Sequence, residues 1–281
     1  MQVGFITNLK KILAAGEKRA LLISATGTGK TYASAFAMRE LGFRRVLFLV
    51  HRGQLARQTR KSYEKVFANT VSMGLVGAGY HEYEADYVFA TVQTLNRDEH
   101  LLQYAKDAFD CIVLDEAHHV PADTYRKIMD HFTPKLWLGM TATPDKRDDN
   151  VEGRNVYEIF NYQIAYEIRL QQAMEENLLC PFHYFGITDL SMIGDEEAAR
   201  DFNMLTSDER VRHIVNQADY YGYSGDKVKG LIFCSNIKET EELSAKVNQI
   251  INPATGKNFR TVALNGSASE QEDRMRLSGW Q

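Results

Sequence analysis

Ser24-Ala25-Thr26-Gly27-Thr28-Gly29-Lys30-Thr31 follows the apolar run Ala20-Leu21-Leu22-Ile23 and opens a helical stretch from Tyr32 to Leu41. A buried strand, a loop with two glycines and a helix beginning near Lys-Thr form the pattern of a phosphate-binding loop in an α/β fold. Gly27 and Gly29 let the backbone turn tightly enough for successive N–H groups to point at a polyphosphate, and the helix adds the positive end of its dipole. In this reading Thr26, Gly27, Thr28 and Gly29 cradle the phosphates, Lys30 reaches the β and γ phosphates, and Thr31 ligates Mg²⁺. The usual pattern has glycine six residues before the lysine, and Ser24 stands there instead.

Working outward, Gly42 is placed to end the loop helix, and Val46-Leu47-Phe48-Leu49-Val50 then reads as a strand buried on both faces, the mark of a parallel sheet. Its end delivers His51-Arg52-Gly53-Gln54-Leu55 and a basic helix containing Arg57, Arg60, Lys61 and Lys65. Ligands of open parallel sheets sit at that carboxyl edge. The basic helix reads either as a solvated face or as part of a nucleic-acid track through His51, Arg52 and Gln54. A further strand, Tyr87-Val88-Phe89-Ala90, passes into Thr91-Val92-Gln93-Thr94-Leu95, where Thr91 and Gln93 can hold phosphates without reading bases.

Cys111-Ile112-Val113-Leu114 is another apolar strand and ends in Asp115-Glu116-Ala117-His118-His119. Opposite a phosphate loop, Asp115 can hold Mg²⁺ and Glu116 can polarise the water that attacks the γ phosphate. His118 is a candidate for coupling nucleotide state to the next motif by hydrogen bonding. That motif, Thr141-Ala142-Thr143-Pro144, follows the strand-like Lys135–Met140, and both Thr141 and Thr143 are expected to hydrogen-bond the acidic motif. The spacing of His118, His119 and His131 does not match a zinc site.

The 281 residues suggest about two domains, and no apolar run is long enough to span a bilayer. The start shows no secretory pattern, so a cytoplasmic enzyme is expected. Cys111, Cys180 and Cys234 are odd in number and far apart, and they read as reduced, buried thiols. A net charge of −4 neither supports nor excludes nucleic acid, because phosphate contact depends on a local basic stripe.

Taken together, S-A-T-G-T-G-K-T, H-R-G-Q-L, T-V-Q-T-L, D-E-A-H and T-A-T-P stand in the order found in superfamily-two helicases, so Ser24–Pro144 resembles the motor of that superfamily. Ser24 in place of glycine is a departure such helicases commonly show. Within the superfamily the chain resembles the branch that holds the motor subunits of type I and type III restriction enzymes, and bacterial helicase-like proteins with a phospholipase-D-like nuclease. Asn161–Leu170 and Leu179–Phe182 carry much of this closer likeness. The resemblance implies two RecA-like domains with ATP and Mg²⁺ between them and a nucleic-acid strand, DNA in preference to RNA, across their tops. It also implies an ATP-driven translocase or helicase with nuclease or other domains in a longer parent chain. Gln2 is the one glutamine ahead of the loop that is available to read adenine, and it is left unassigned.

The expected organisation is a RecA-like ATP-binding domain over 1–150, a linker and connecting helix over 151–180 and the N-terminal part of a second RecA-like domain over 181–281. Asp145–Asn155 is charged and reads as an exposed linker, Ile164, Ile168 and Met174 fall at helical spacing, and Asp189–Ser207 reads as an acidic surface helix or insertion. Phe182–Ile187, Gly230–Cys234 and Thr261–Leu264 read as strands, and a short helix with Arg274 is expected after the Asn265-Gly266-Ser267 turn. The motor motifs that would carry an arginine finger do not follow, so a fragment of a longer protein is expected. Two other readings remain beside the motor: a P-loop ATPase without nucleic acid, which leaves three of the five motifs unused, and a nucleotide-binding or docking remnant.

Overall fold

The apolar runs of the first half become neighbouring strands of one sheet. The structure, a computed structural model, describes residues 1–68, 70–77, 79–120, 123–144, 155–187, 205–222, 230–253 and 255–265. It divides into two units, Met1–Pro181 and Phe182–Gln281. The strands of the first unit are β1 (Arg19–Ser24), β2 (Val46–Val50), β3 (Met73–Gly77), β4 (Tyr80–His81), β5 (Tyr87–Thr91), β6 (Cys111–Asp115), β7 (Leu136–Thr141) and β8 (Ile164–Ile168). They lie in the order β4-β3-β5-β2-β6-β7-β1-β8. Every neighbouring pair is parallel except the short β3–β4 hairpin. The α/β class read from the sequence therefore holds for this unit.

Because side chains alternate across a strand, each continuous apolar run supplies two cores at once. Ala20 and Leu22 of β1 join Val46, Phe48 and Val50 of β2 on one face. Leu21, Ile23, Leu47 and Leu49 lie on the other. The first face is covered by α1 (Gln2–Ala14), α2 (Lys30–Leu41) and α3 (Gly53–Phe67), through Phe5 and Leu9, Ala33 and Ala37, and Tyr63 and Phe67. The second is covered chiefly by α4 (Asp123–His131) and α5 (Val156–Ile159), through Tyr125, Ile128, Val156 and Tyr157. Each fully buried Val, Leu, Ile or Phe contributes about 1.5–3 kcal/mol, so the strands that carry the motifs also anchor the fold. Gly42 ends α2 in the left-handed region (φ 68°), as its position after Leu41 suggests.

Gly139, in the middle of β7, is a packing requirement. A Cβ there would lie 2.6 Å from Phe160 Cζ and 2.8 Å from Leu21 Cδ2, and Phe160 and Leu21 are both fully buried. Gly139→Ala should therefore destabilise the unit by about 1–3 kcal/mol, read as a lower melting temperature in calorimetry. An unchanged melting temperature would show that the Phe160 ring gives way without cost.

The segment 151–180 differs from the linker and connecting helix expected of it. Residues 145–154, which hold most of the charged linker stretch, lie outside the described residues. From Asn155 onward the chain returns to the first sheet. Leu21 N–H donates to Gln163 O at 2.8 Å and Ala25 N–H to Ile168 O at 3.0 Å, so Ile164–Ile168 is a strand beside β1 and not a helix. Residues four apart suit a helix face and a strand equally; the free edge of β1 decides between them, and a turn through Asn161 and Tyr162, both at positive φ, sets the direction. The helix begins only at Leu170, as α6 (Leu170–Glu175).

In the second unit the described helices are Asp208–Tyr221 and Ile237–Val247, which pack through Val211, Val215, Leu243 and Val247. Phe182–Ile187, Gly230–Cys234 and Thr261–Leu264, expected as strands, have no strand hydrogen bonding. Leu231 and Phe233 are 83% and 91% exposed. An apolar β-branched run becomes a strand only where a neighbour takes its backbone groups, and among the described residues none does so. Asp189–Ser207 up to residue 204, and everything after Asn265, including Arg274, lie outside the described residues. The thiols correct another expectation: all three are unpaired, but only Cys111 is buried, while Cys234 is partly exposed and Cys180 exposed. Among the described residues no helix is long and apolar enough to cross a membrane.

Candidate functional site

Parallel strands end on the same side, and here β1, β2, β5, β6 and β7 bring Ser24, Val50, Thr91, Asp115 and Thr141 to one edge of the sheet. The phosphate loop leaves β1 there. Gly27 and Gly29 both take φ 89°, a conformation other residues adopt only under strain, and Gly29 caps α2. The Thr28 hydroxyl is used inside the loop, bonded to Ala25 O at 2.7 Å and to Ser24 Oγ, which gives the serine in place of glycine a role in holding the turn. Lys30 Nζ donates to Ser24 O at 2.9 Å, folded across the loop. Burial pushes its pKa down, and the carboxylates of Glu116 and Asp115 oppose that shift. Thr31 follows as the second residue of α2.

A small apolar cluster supports the loop. Ala25 packs with Ile168, Ala173 and Leu179, and a Cβ on Gly27 would lie 3.1 Å from Leu179 Cδ2. The segment taken for a linker therefore buttresses the phosphate loop.

At the end of β6, burial and then the adjacent Glu116 push the Asp115 carboxyl up to about 6, against the pull of Lys30. A carboxylate kept at such a cost, with the Thr31 hydroxyl at the start of α2, fits the all-oxygen donor set of Mg²⁺. Glu116 sits at φ 52°, ψ 51°, a left-handed conformation rare for a residue with a side chain. His118 Nδ1 lies 3.4 Å from Glu116 Oε2 and 3.0 Å from Thr141 Oγ1. Thr141 thus meets the acidic motif as expected. Thr143 differs: it is exposed and turns its backbone N–H to Thr141 Oγ1 at 3.2 Å.

Beside this edge lies an open groove lined by His51, Gly53, Ala56, Arg57, Leu75, Val76, Gly77, Tyr80, Thr91, Gln93 and Thr94. Of the five residues expected on a nucleic-acid track, His51, Thr91 and Gln93 share this groove. Arg52 and Gln54 flank it at the start of α3, with Arg52 at the N-cap. Thr91 caps the short helix Val92–Leu95, accepting from Thr94 N–H at 3.2 Å and bonding Thr94 Oγ1 at 2.8 Å. The basic helix divides: Arg57 lines the groove, whereas Arg60 is turned to Glu64 at 2.8 Å and Glu82 at 3.3 Å.

His51 joins the groove to the acidic motif. Its Nε2 shares a 2.9 Å hydrogen bond with Tyr125 OH, its ring centroid is 4.4 Å from that of His119, and His119 is 4.1 Å from His118. Burial, followed by His119 and His118, pushes the His51 pKa down, so the ring favours its neutral form. Sequence reasoning passed over Tyr125, Tyr80 and Thr94. Tyr80 had a usable signal, because Gly77-Ala78-Gly79 breaks an alternating run in the manner of a hairpin turn. Tyr125 had none, since its contact with His51 spans 74 residues.

This geometry can be set beside those of known proteins that the chain resembles. Residues 1–146 match the family described as "Type III restriction enzyme, res subunit". The type I restriction enzyme EcoAI endonuclease subunit of Escherichia coli is 28% identical over 86% of this chain and 33% of its own length. The DNA 3'-5' translocase XPB2 of Sulfurisphaera tokodaii is 27% identical over 56% of this chain and 33% of its own. The chain thus spans about a third of the length of these relatives. Among solved structures, the ATP-dependent type ISP restriction-modification enzyme LlaBIII bound to DNA superposes with a TM-score of 0.62 at 20% identity, over 87% of this chain and 21% of that one, which is a likeness of fold.

Proposed function

Since the chain belongs to the family of type III restriction enzyme res subunits, we propose that it is the ATP-binding and ATP-hydrolysing part of a motor that translocates along or unwinds nucleic acid, DNA in preference to RNA. The observation that carries the proposal is the common sheet edge. The phosphate loop, Asp115 and Glu116, Thr141, and the groove of His51, Arg57, Thr91 and Gln93 all lie along it. A P-loop ATPase without a track would have no use for that groove.

In this proposal the backbone amides of Thr26 to Gly29 and the Lys30 ammonium hold the phosphates. Thr31 and Asp115 hold Mg²⁺, which when bound neutralises phosphate charge. Glu116 takes the proton of the attacking water, and the 3.4 Å approach of His118 and the left-handed backbone fix where that carboxylate points. His118 and Thr141 pass the state of the acidic motif to the strand end of β7, with Thr143 beside them. Arg52 and Gln54, at the start of α3, extend the phosphate track beyond the groove. We read Phe182–Gln281 as the start of a second RecA-like domain, from the order of its apolar runs, and the whole as a cytoplasmic protein with nuclease or other domains in its parent.

Phosphate contacts release counterions, so binding of a single-stranded oligonucleotide should weaken as salt rises, with a slope of about −0.7 per phosphate neutralised. Arg52→Ala combined with Arg57→Ala should lower affinity and flatten that slope by about 1.4, leaving ATP affinity in the absence of DNA unchanged. Fluorescence anisotropy across a salt series measures both. An unchanged slope would make the start of α3 a solvated face and return the chain to the P-loop ATPase reading.

A further inference from the structure

Tyr80 has no part in the phosphate chemistry, yet its position is tightly specified. It opens the two-residue strand β4 after a turn in which Gly77 takes φ 106° and Gly79 φ 87°. A side chain at Gly77 would meet Thr94 Oγ1 at 2.5 Å, so the absence of one lets this turn press against the T-V-Q-T-L segment. The result is that Tyr80 forms part of the same groove wall as His51, Arg57, Thr91 and Gln93. Tyr80 is 43% exposed, and among the described residues its ring has no aromatic or cationic contact and its hydroxyl no hydrogen bond.

An aromatic side chain left half-uncovered on an edge strand is ordinary when it stands alone. This one lies beside hydroxyl, imidazole and guanidinium groups, a combination that suits a polyanion carrying flat apolar rings. Phosphates engage the polar groups, and every nucleobase has a face that can stack on the tyrosine whatever its sequence. A base paired inside a duplex offers no such face.

We propose that Tyr80 is a nucleobase-stacking residue, which makes the groove a site for an unpaired strand rather than for duplex. This deepens the nucleic-acid reading above and rests on it.

The test uses the chain as it is, with fluorescein-labelled oligo-dT and a strand of equal length built from abasic sugar-phosphate units. Tyr80→Ala should weaken oligo-dT binding by about ten- to a hundredfold with the salt slope unchanged, because stacking releases no counterions. Tyr80→Phe should bind as the parent does, and parent and Tyr80→Ala should bind the abasic strand equally. Tyr80→Trp keeps a ring in place and should lose tryptophan emission on adding oligo-dT but not the abasic strand. The proposal is overturned if Tyr80→Ala binds oligo-dT as tightly as the parent, or loses affinity equally for both strands, or if the tryptophan is indifferent to bases. A parent that binds neither strand would remove the nucleic-acid reading itself, and the stacking with it. A parent that binds both while Tyr80 is silent removes only the stacking.

Discussion

Glu116→Gln is expected to lower the rate of ATP hydrolysis by about 10² to 10⁴, the range a positioned general base supplies, while leaving ATP–Mg²⁺ affinity within about twofold. The substitution keeps the shape of the side chain and one oxygen for His118, which lies 3.4 Å away, so the left-handed turn at φ 52° need not change. What is lost is the capacity to take a proton from water. Phosphate release in the presence of nucleic acid, set beside calorimetric affinity, separates the two effects. Normal turnover in the variant would remove Glu116 from the chemistry and leave its strained backbone without a purpose.

Lys30→Ala acts at the earlier step. Its ammonium bonds Ser24 O at 2.9 Å across the loop and feels both carboxylates of the acidic motif. A bound polyphosphate would replace the carbonyl as acceptor, giving a charge-assisted contact worth about 1.5–3 kcal/mol. Removing it should therefore weaken ATP–Mg²⁺ binding by at least tenfold, and it also takes away the cation that opposes the upward shift of the Asp115 carboxyl. Equal affinities in titration calorimetry would sink the assignment of the loop. The two variants thus predict opposite patterns: binding without turnover for Glu116→Gln, and weakened binding for Lys30→Ala.

How much of this was legible in the sequence depends on whether the signal was local. The strands bearing the motifs were read correctly because Ile23, Leu49 and Leu114 belong to runs buried on both faces, and such runs fit little besides a parallel sheet strand. The phosphate loop and the Asp-Glu pair were legible for the same reason, each being a short pattern at the end of such a run. β3 and β4 went unread because Gly74 and Gly77 interrupt a five-residue strand. β8 was misread because Ile164 and Ile168 satisfy a helix and a strand alike, and what settles it is the open side of β1, far away in sequence. In the second unit Leu231 and Phe233 have strand character but, among the described residues, no strand partner. The groove was only half legible: Thr91 and Gln93 announce themselves at a strand end, whereas Tyr80 depends on how a glycine turn docks on Thr94.

The place of β8 has a practical bearing on how this protein can be divided. β1, which carries the nucleotide loop, has β7 on one side and β8 on the other. A chain cut after Pro144, where the recognisable motifs stop, would leave β1 as a bare sheet edge with the carbonyl of Gln163 gone from Leu21 and that of Ile168 gone from Ala25. Unpaired apolar edges recruit other chains, so such a piece should self-associate through the strand that leads into the proposed phosphate loop. A boundary at Pro181 keeps that edge sealed.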